Sequence, residues 1–215
     1  MNEDGINNVE LNLKKTHFVL SAPDISYLPN DDGKEIAFIG RSNAGKSSAL
    51  NTITDNKNLA KTSKTPGRTQ MINLFECMEG FRIVDLPGYG YAKVPLAMKK
   101  KWQQALNEYL ERRQSLIGLV VVMDIRNPLT MIDRQIVNWS IACGLPTILL
   151  LTKADKLNQG PRQKVLNDIR FQLQEFENAD RYVKVIAFSS LNHSIGVKAL
   201  KQQISDLFND CFTTP

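Results

Sequence analysis

The chain has 215 residues, 42% hydrophobic and 23% charged, enough apolar side chain for a substantial core and too much for wholesale disorder. Three scattered cysteines and two histidines exclude a disulfide framework and a His-rich metal site, and a net charge of +5 is only a mild bias toward polyanionic partners. No apolar run reaches the length of a membrane span and the polar start, Met1-Asn2-Glu3-Asp4-Gly5, is unlike a secretory leader, so a cytoplasmic protein is expected.

Periodicity is weak up to about residue 35, where Pro23, Pro29 and Asp31-Asp32-Gly33 are turn signals. Residues 9–13 alternate as a short strand or a lead-in segment would. This predicts an N-terminal extension over 1–21 and a single domain over 22–215. From residue 35 strands and helices alternate. An apolar strand over 36–40 runs into Gly40-Arg41-Ser42-Asn43-Ala44-Gly45-Lys46-Ser47, followed by a helix over about 45–54. A glycine, four free positions and Gly-Lys-Ser between strand and helix form the phosphate-loop pattern. The glycines let backbone N–H groups turn toward an anion at a helix N-terminus, Lys46 reaches the β- and γ-phosphates, and the Ser47 hydroxyl serves Mg²⁺.

Residues 56–68 are polar, basic and turn-prone. Two apolar runs, 71–77 and 81–85, are split by Met78-Glu79-Gly80 as a hairpin. The second run ends in Asp85-Leu86-Pro87-Gly88. An acid at a strand end beside a phosphate loop is placed for a magnesium contact, and Gly88 brings a backbone N–H to a γ-phosphate. An amphipathic helix over 96–113, an apolar strand over 116–124, a helix over 131–143 and a buried strand over 147–151 follow. Then comes Thr152-Lys153-Ala154-Asp155. The Asp155 carboxylate can accept from guanine N1–H and the 2-amino group, donors that adenine lacks on that edge, and the Lys153 stem can lie on the base. A helix over 161–176, a strand over 183–188, the pair Ser189-Ser190 with backbone N–H groups for guanine O6, and a helix over 194–208 complete the chain. The alternation predicts an α/β fold, a three-layer phosphate-loop domain with a mostly parallel six-stranded sheet and helices on both faces.

Gly-Arg-Ser-Asn-Ala-Gly-Lys-Ser, Thr-Pro-Gly-Arg-Thr-Gln, Asp-Leu-Pro-Gly-Tyr-Gly-Tyr-Ala and Thr-Lys-Ala-Asp closely resemble the EngB (YihA/YsxC) family of the TrmE-Era-EngA-EngB-Septin-like GTPases. The resemblance covers nearly everything from Ala22 onward. It implies a bacterial GTPase acting in large ribosomal subunit assembly, tied to normal division and septation. It also implies a first switch over Gly67, Arg68, Thr69, Gln70 and Met71, with Thr69 as second Mg²⁺ ligand. Asp85, Leu86, Pro87 and Gly88 fall on the γ-phosphate side, and Thr152 to Asp155 with Phe188, Ser189 and Ser190 fall on the base side. Lys46, Thr69, Asp85 and Gly88 are the catalytic set.

Two departures bear on chemistry. Many GTPases orient the attacking water with a Gln after the Asp-x-x-Gly segment, where this chain has Tyr89, so slow intrinsic turnover is expected. Related GTPases with Asn at the position of Asn43 hold K⁺ with it; local shaping of the loop is the other reading. The usual Asn of the base motif is replaced by Thr152, whose shorter hydroxyl must bond differently. Arg68 and Gln70 fit either catalysis or partner docking. Lysines near the switches (Lys57, Lys61, Lys64, Lys93, Lys99, Lys100, Lys101) suit ribosomal RNA or are a solvated face. A monomer without DNA contacts is expected. A GTP-binding interaction protein of the division machinery with little hydrolysis is the alternative; a nucleotide kinase fits less well, because Thr152 to Asp155 selects guanine.

Overall fold

The computed structural model describes residues 11–60, 71–89 and 96–209, with the backbone alone over 96–103. Seven strands form one sheet in the order β1-β3-β4-β2-β5-β6-β7. These are β1 (His17–Ala22), β2 (Lys34–Gly40), β3 (Ile72–Met78), β4 (Phe81–Asp85), β5 (Leu116–Asp124), β6 (Thr147–Thr152) and β7 (Val183–Ala187). Pairing is parallel from β4 through β2, β5 and β6 to β7, and antiparallel in β1·β3 and β3·β4. The helices are α1 (Lys46–Ile53), α2 (Leu96–Arg112), α3 (Met131–Ala142), α4 (Gln159–Leu173), the single turn α5 (Ala179–Tyr182) and α6 (Val197–Phe208).

Strand alternation builds two cores. Ile36 and Phe38 of β2, Val120 and Val122 of β5, and Ile148 and Leu150 of β6 meet Leu50 and Ile53 of α1 and Leu200 and Ile204 of α6. The intervening residues, Ala37 and Ile39, Leu119 and Val121, Leu149 and Leu151, meet Tyr109, Val137, Ile141 and Ile169 from α2, α3 and α4. Successive Cβ atoms point to opposite faces, so a strand covered on both sides must be apolar throughout. That is why β5 and β6 read as unbroken hydrophobic runs, and why the three-layer architecture follows from the sequence.

The sheet has seven strands, not the six expected. The addition, β1, lies, but for its last residue Ala22, within the stretch read as an N-terminal extension. It is an edge strand whose residues 17–21 are exposed or half-buried, so no apolar alternation marks it. Its register on β3 runs from His17 opposite Glu76 to Ala22 opposite Ile72. The alternating stretch 9–13 gives, where described, a 3₁₀ turn over Leu13–Lys15 with Asn12 accepting from the Lys14 N–H at 3.1 Å. Helix α6 begins three residues later than read, because residues 189–195 form a closed loop in which the Ser189 N–H donates to the Ile195 carbonyl at 3.1 Å.

At the N-terminal ends of the strands a fully buried carboxylate, Glu35, is held from three sides. Arg113 donates from Nη2 at 2.7 Å and Nε at 3.1 Å, the Tyr109 hydroxyl at 2.9 Å and Arg82 Nη1 at 3.3 Å. Arg113 Nη1 also donates to the Pro29 carbonyl at 3.0 Å, and Asp31 accepts from the N–H groups of Gln114 and Ser115 at 2.8 Å each. This network ties the loop before β2 to the end of α2, at the opposite end of the strands from the loops described next.

Candidate nucleotide-binding site

Parallel registry carries five strand ends to one edge of the sheet. Phe38 pairs with Asp85, Gly40 with Val122, Asp124 with Thr152, and Leu151 with Ala187. The loops after β2, β4, β6 and β7 therefore open side by side, around β2, where the order reverses and ligands of open α/β sheets bind. All the predicted site residues that are described lie there. Gly67, Arg68, Thr69 and Gln70 lie outside the described residues, as do Lys61, Lys64, Lys93 and residues 90–92; Met71 is exposed just ahead of β3.

The phosphate loop owes its shape to backbone conformations that few residues adopt. Asn43 and Gly45 have φ of +63° and +97°, in the left-handed region. At Gly40 a Cβ would stand 2.5 Å from the Val122 carbonyl oxygen, so the strand can enter the loop only as glycine. Arg41 and Tyr89 form an isolated parallel bridge, with the Ser42 N–H donating to the Tyr89 carbonyl at 2.9 Å and the Tyr89 N–H to the Gly40 carbonyl at 3.2 Å. The loop after β4 is thus stitched to the phosphate loop. The Asn43 side chain is exposed and makes no hydrogen bond among the described residues, so its part in the loop's shape is its left-handed backbone alone.

Lys46 and Asp85 form a buried ion pair, 8% and 2% exposed. Ser47 is half-buried on the first turn of α1, while Leu86, Pro87 and Gly88 are buried along the loop from β4. A hydroxyl at the head of a helix and a carboxylate at a neighbouring strand end are both hard oxygen donors, a set that suits Mg²⁺ accompanied by phosphate oxygens.

On the base side, the Thr152 hydroxyl donates toward the Ala44 carbonyl and lies 3.0 Å from the Met123 carbonyl. Thr152 thus reaches the phosphate loop despite being shorter than Asn. Lys153 Nζ donates to the Asn43 carbonyl at 2.8 Å and pairs with Asp124 at 2.9 Å. Ala154 is buried, its N–H donating to the Phe188 carbonyl at 3.0 Å. Asp155 accepts from the Ser189 hydroxyl at 2.7 Å, which with Lys156 holds its carboxyl below the usual range and ionised at neutral pH. Phe188 and Ser189 are fully buried and Ser190 is half-buried at the mouth.

Two contributors were not read from the sequence. Asp124, held well below the usual carboxylate range chiefly by Arg126 and also by Lys153, positions Lys153. It carries the signal that singled out Asp85, an acid closing an apolar strand. Asp133, fully buried, accepts from the Thr130 N–H and hydroxyl at 2.7 Å each and from the Tyr89 hydroxyl. Its capping-box spacing Thr-x-x-Asp was visible; its bond to Tyr89 was not.

Residues 35–153 match the family described as 50S ribosome-binding GTPase. Over 200 residues the chain is 60% identical to the probable GTP-binding protein EngB of Salmonella newport, covering 93% of each chain, and 59% identical to that of Salmonella typhimurium over the same shares. The chain belongs to the EngB family of GTP-binding proteins. Its fold is also that of solved structures. A crystal structure of a probable GTP-binding protein EngB has TM-score 0.63 at 23% identity, covering 82% of this chain and 99% of that one. Era in complex with MgGDPNP and nucleotides 1506–1542 of 16S ribosomal RNA has TM-score 0.62 at 19% identity, covering 82% and 57%. Within the EngB family frame, GTP or GDP is the bound nucleotide and hydrolysis of GTP the general activity. No helix among the described residues is long and apolar enough to cross a membrane.

Tyr89 stands where the usual Gln would, and its phenol is turned into the protein. Burial, then the Asp133 carboxylate, push its pKa far up, so it remains a donor. A Tyr89→Phe variant leaves one buried oxygen of Asp133 without that donor. It should lose about 1–3 kcal/mol of stability, read as a lower urea midpoint at unchanged m-value, while GTP hydrolysis stays at the parent rate. A ten-fold or greater fall in turnover would instead give the phenol a part in the chemistry.

Proposed function

We propose that this chain is a slow, Mg²⁺-dependent GTPase switch that acts in the cytoplasm, as a monomer without DNA contacts, in assembly of the large ribosomal subunit, and that normal division and septation depend on it. The observation that carries the nucleotide-site reading is the cross-link between the two halves of the site, and the ionised Asp155 makes the base guanine. Thr152 and Lys153, the residues that lead to Asp155, bond directly to the carbonyls of Ala44 and Asn43 in the phosphate loop. Base reader and phosphate cradle therefore act as one site. The ribosomal part rests on the family description, 50S ribosome-binding GTPase.

Hydrolysis proceeds by in-line attack of water on the γ-phosphorus. The water oxygen bonds to phosphorus, the bridging bond breaks with its electron pair going to the β-phosphate oxygen, and the water proton passes to phosphate. Ser47 and Thr69 would hold Mg²⁺, which would supply charge neutralisation at the phosphates. Lys46 faces the β- and γ-phosphates and Asp85 keeps it aligned. The Gly88 N–H receives the γ-phosphate. Asn43, Gly45, Lys46 and Ser47 offer backbone donors to the phosphates, while the N–H groups of Ser42 and Ala44 are spent on the Tyr89 and Arg41 carbonyls and shape the loop. Gly67, Arg68, Gln70 and Met71 flank Thr69 as a switch that docks a partner. Asp155 reads the base and the Ser189 hydroxyl holds its carboxylate. Because the Ser189 N–H is given to the Ile195 carbonyl, the Ser190 N–H is the one left for guanine O6, with Phe188 buried beneath.

Because Tyr89 points to Asp133 rather than at the phosphates, nothing in that position orients water. Asn43, exposed at the lip of the loop, is free to hold K⁺ there. GTP turnover should be several-fold faster in KCl than in NaCl at matched ionic strength; equal rates would remove K⁺ from the mechanism. The same phenol keeps alive a second reading, a GTP-binding interaction protein of the division machinery with little hydrolysis. Co-sedimentation with large ribosomal subunits under GDP and a non-hydrolysable GTP analogue, with turnover measured on and off the subunit, separates the two. Nucleotide-dependent co-sedimentation supports the first; indifference to nucleotide and subunit supports the second.

A further inference from the structure

Two segments far apart in sequence place cations around a pair of adjoining depressions. One, of about 540 Å³, is lined by residues 11–15 and Lys201; the other, of about 430 Å³, is lined by Leu11, His193 and the outer face of α6, including Lys198 and Lys201. Leu11 and Lys201 belong to both, so the two are continuous. Lys14, Lys15 and Lys198 are exposed and Lys201 half-exposed, and Lys198 and Lys201, three apart on a helix, share a face. The acid that meets them is Asp55, at the end of α1, which pairs with Lys14 at 3.1 Å and is held below the usual carboxylate range by Lys14, Lys201 and His193. A solvated charged surface usually mixes signs; here, among the described residues, four lysines and a histidine surround Asp55, while Asp206 farther along α6 is held by Gln202 and Gln203. The surface is also mechanically linked to the site, since α1 begins at Lys46 and His193 lies in the loop that starts at Ser189.

We infer that this face, formed by the Leu13–Lys15 turn and α6, is a second docking surface that holds the phosphate backbone of RNA, in addition to the lysines near the switches. The inference rests on the reading above that the partner is a ribosomal particle. Lysines on flexible stems in a shallow groove suit phosphates, whose contacts release counterions and carry no sequence information. An acidic protein would satisfy the same charges, but it would not make the salt dependence of polyelectrolyte binding.

The test uses the full chain with GDP and protein-free large-subunit ribosomal RNA, by filter retention from about 50 to 200 mM salt. The double variant Lys198→Glu/Lys201→Glu should weaken binding at least ten-fold at the midpoint. The milder Lys198→Gln/Lys201→Gln should make the slope of log K against log salt shallower by about 1.4–1.8, two lost phosphate contacts. Lys14→Gln/Lys15→Gln should do the same, and GTP affinity should be unchanged in all three. Variants matching the parent in slope and affinity, or a loss independent of salt, would overturn the surface. If the unaltered chain retains neither the RNA nor intact subunits, the ribosomal reading itself fails; if it retains both and the variants match it, only this surface does.

Discussion

An Asp155→Asn variant should lose about 100- to 1,000-fold in affinity for GTP while gaining affinity for the xanthine nucleotide. The ionised carboxylate accepts from both N1–H and the 2-amino group, and hydrogen bonds to a charged group are worth about 1.5–3 kcal/mol each. An asparagine keeps one acceptor but turns the other position into a donor, which faces the 2-amino group donor to donor. Xanthine carries a carbonyl there and restores the pair. The substitution should leave the fold alone, since Asp155 is only partly buried and Ser189 can still donate to the remaining amide oxygen. Competition between GTP, ATP and XTP for one labelled nucleotide reads the effect. A variant that still prefers GTP over XTP would mean that Asp155 does not face the base.

The second large effect is on stability. Arg113→Ala should lower the stability by about 3–5 kcal/mol, because it leaves Glu35 buried with two of its four donated bonds gone. In a chain of 215 residues each kcal/mol shifts the midpoint by about 2–4 °C, so thermal unfolding should fall by about 6–20 °C. The double variant Glu35→Gln/Arg113→Ala should lose less than Arg113→Ala alone, since an amide without its partner costs less to bury than a carboxylate. Turnover well below the transition should be unaltered, as the network lies at the far end of the strands from the phosphate loop. A fall of under about 3 °C, outside the range just set, would show that Glu35 finds water or another cation when Arg113 is removed.

What the sequence discloses follows from how local each signal is. Strand β5 was read to the residue, Leu116–Asp124, because burial on both faces demands an unbroken apolar run. The phosphate loop and Asp85 were legible because their chemistry is packed into a few consecutive positions after a strand. Thr152 was recognised as the departure from Asn, but its acceptor, Ala44, lies 108 residues away and could be found only in space. The same holds for Glu35 with Arg113, 78 residues apart, and for Tyr89 with Asp133, 44 apart. Long-range polar pairs leave no periodicity, so a charged residue at a strand's start reads as a boundary. Strand β1 escaped for the opposite reason, as residues 17–21 are exposed or half-buried without alternation and its place depends on backbone bonds to β3.

That strand has a practical consequence for anyone shortening the chain. Cutting at Ala22, where the motif-bearing region begins, would strip β3 of its outer neighbour and bare a row of backbone N–H and C=O groups along Ile72–Met78. Phe75 and Leu74, both buried, would lose much of their cover on that side. An apolar, uncapped edge of this kind templates pairing with a second copy. A truncated protein should therefore be harvested from inclusion bodies, and one that starts ahead of the Leu13–Lys15 turn from the supernatant.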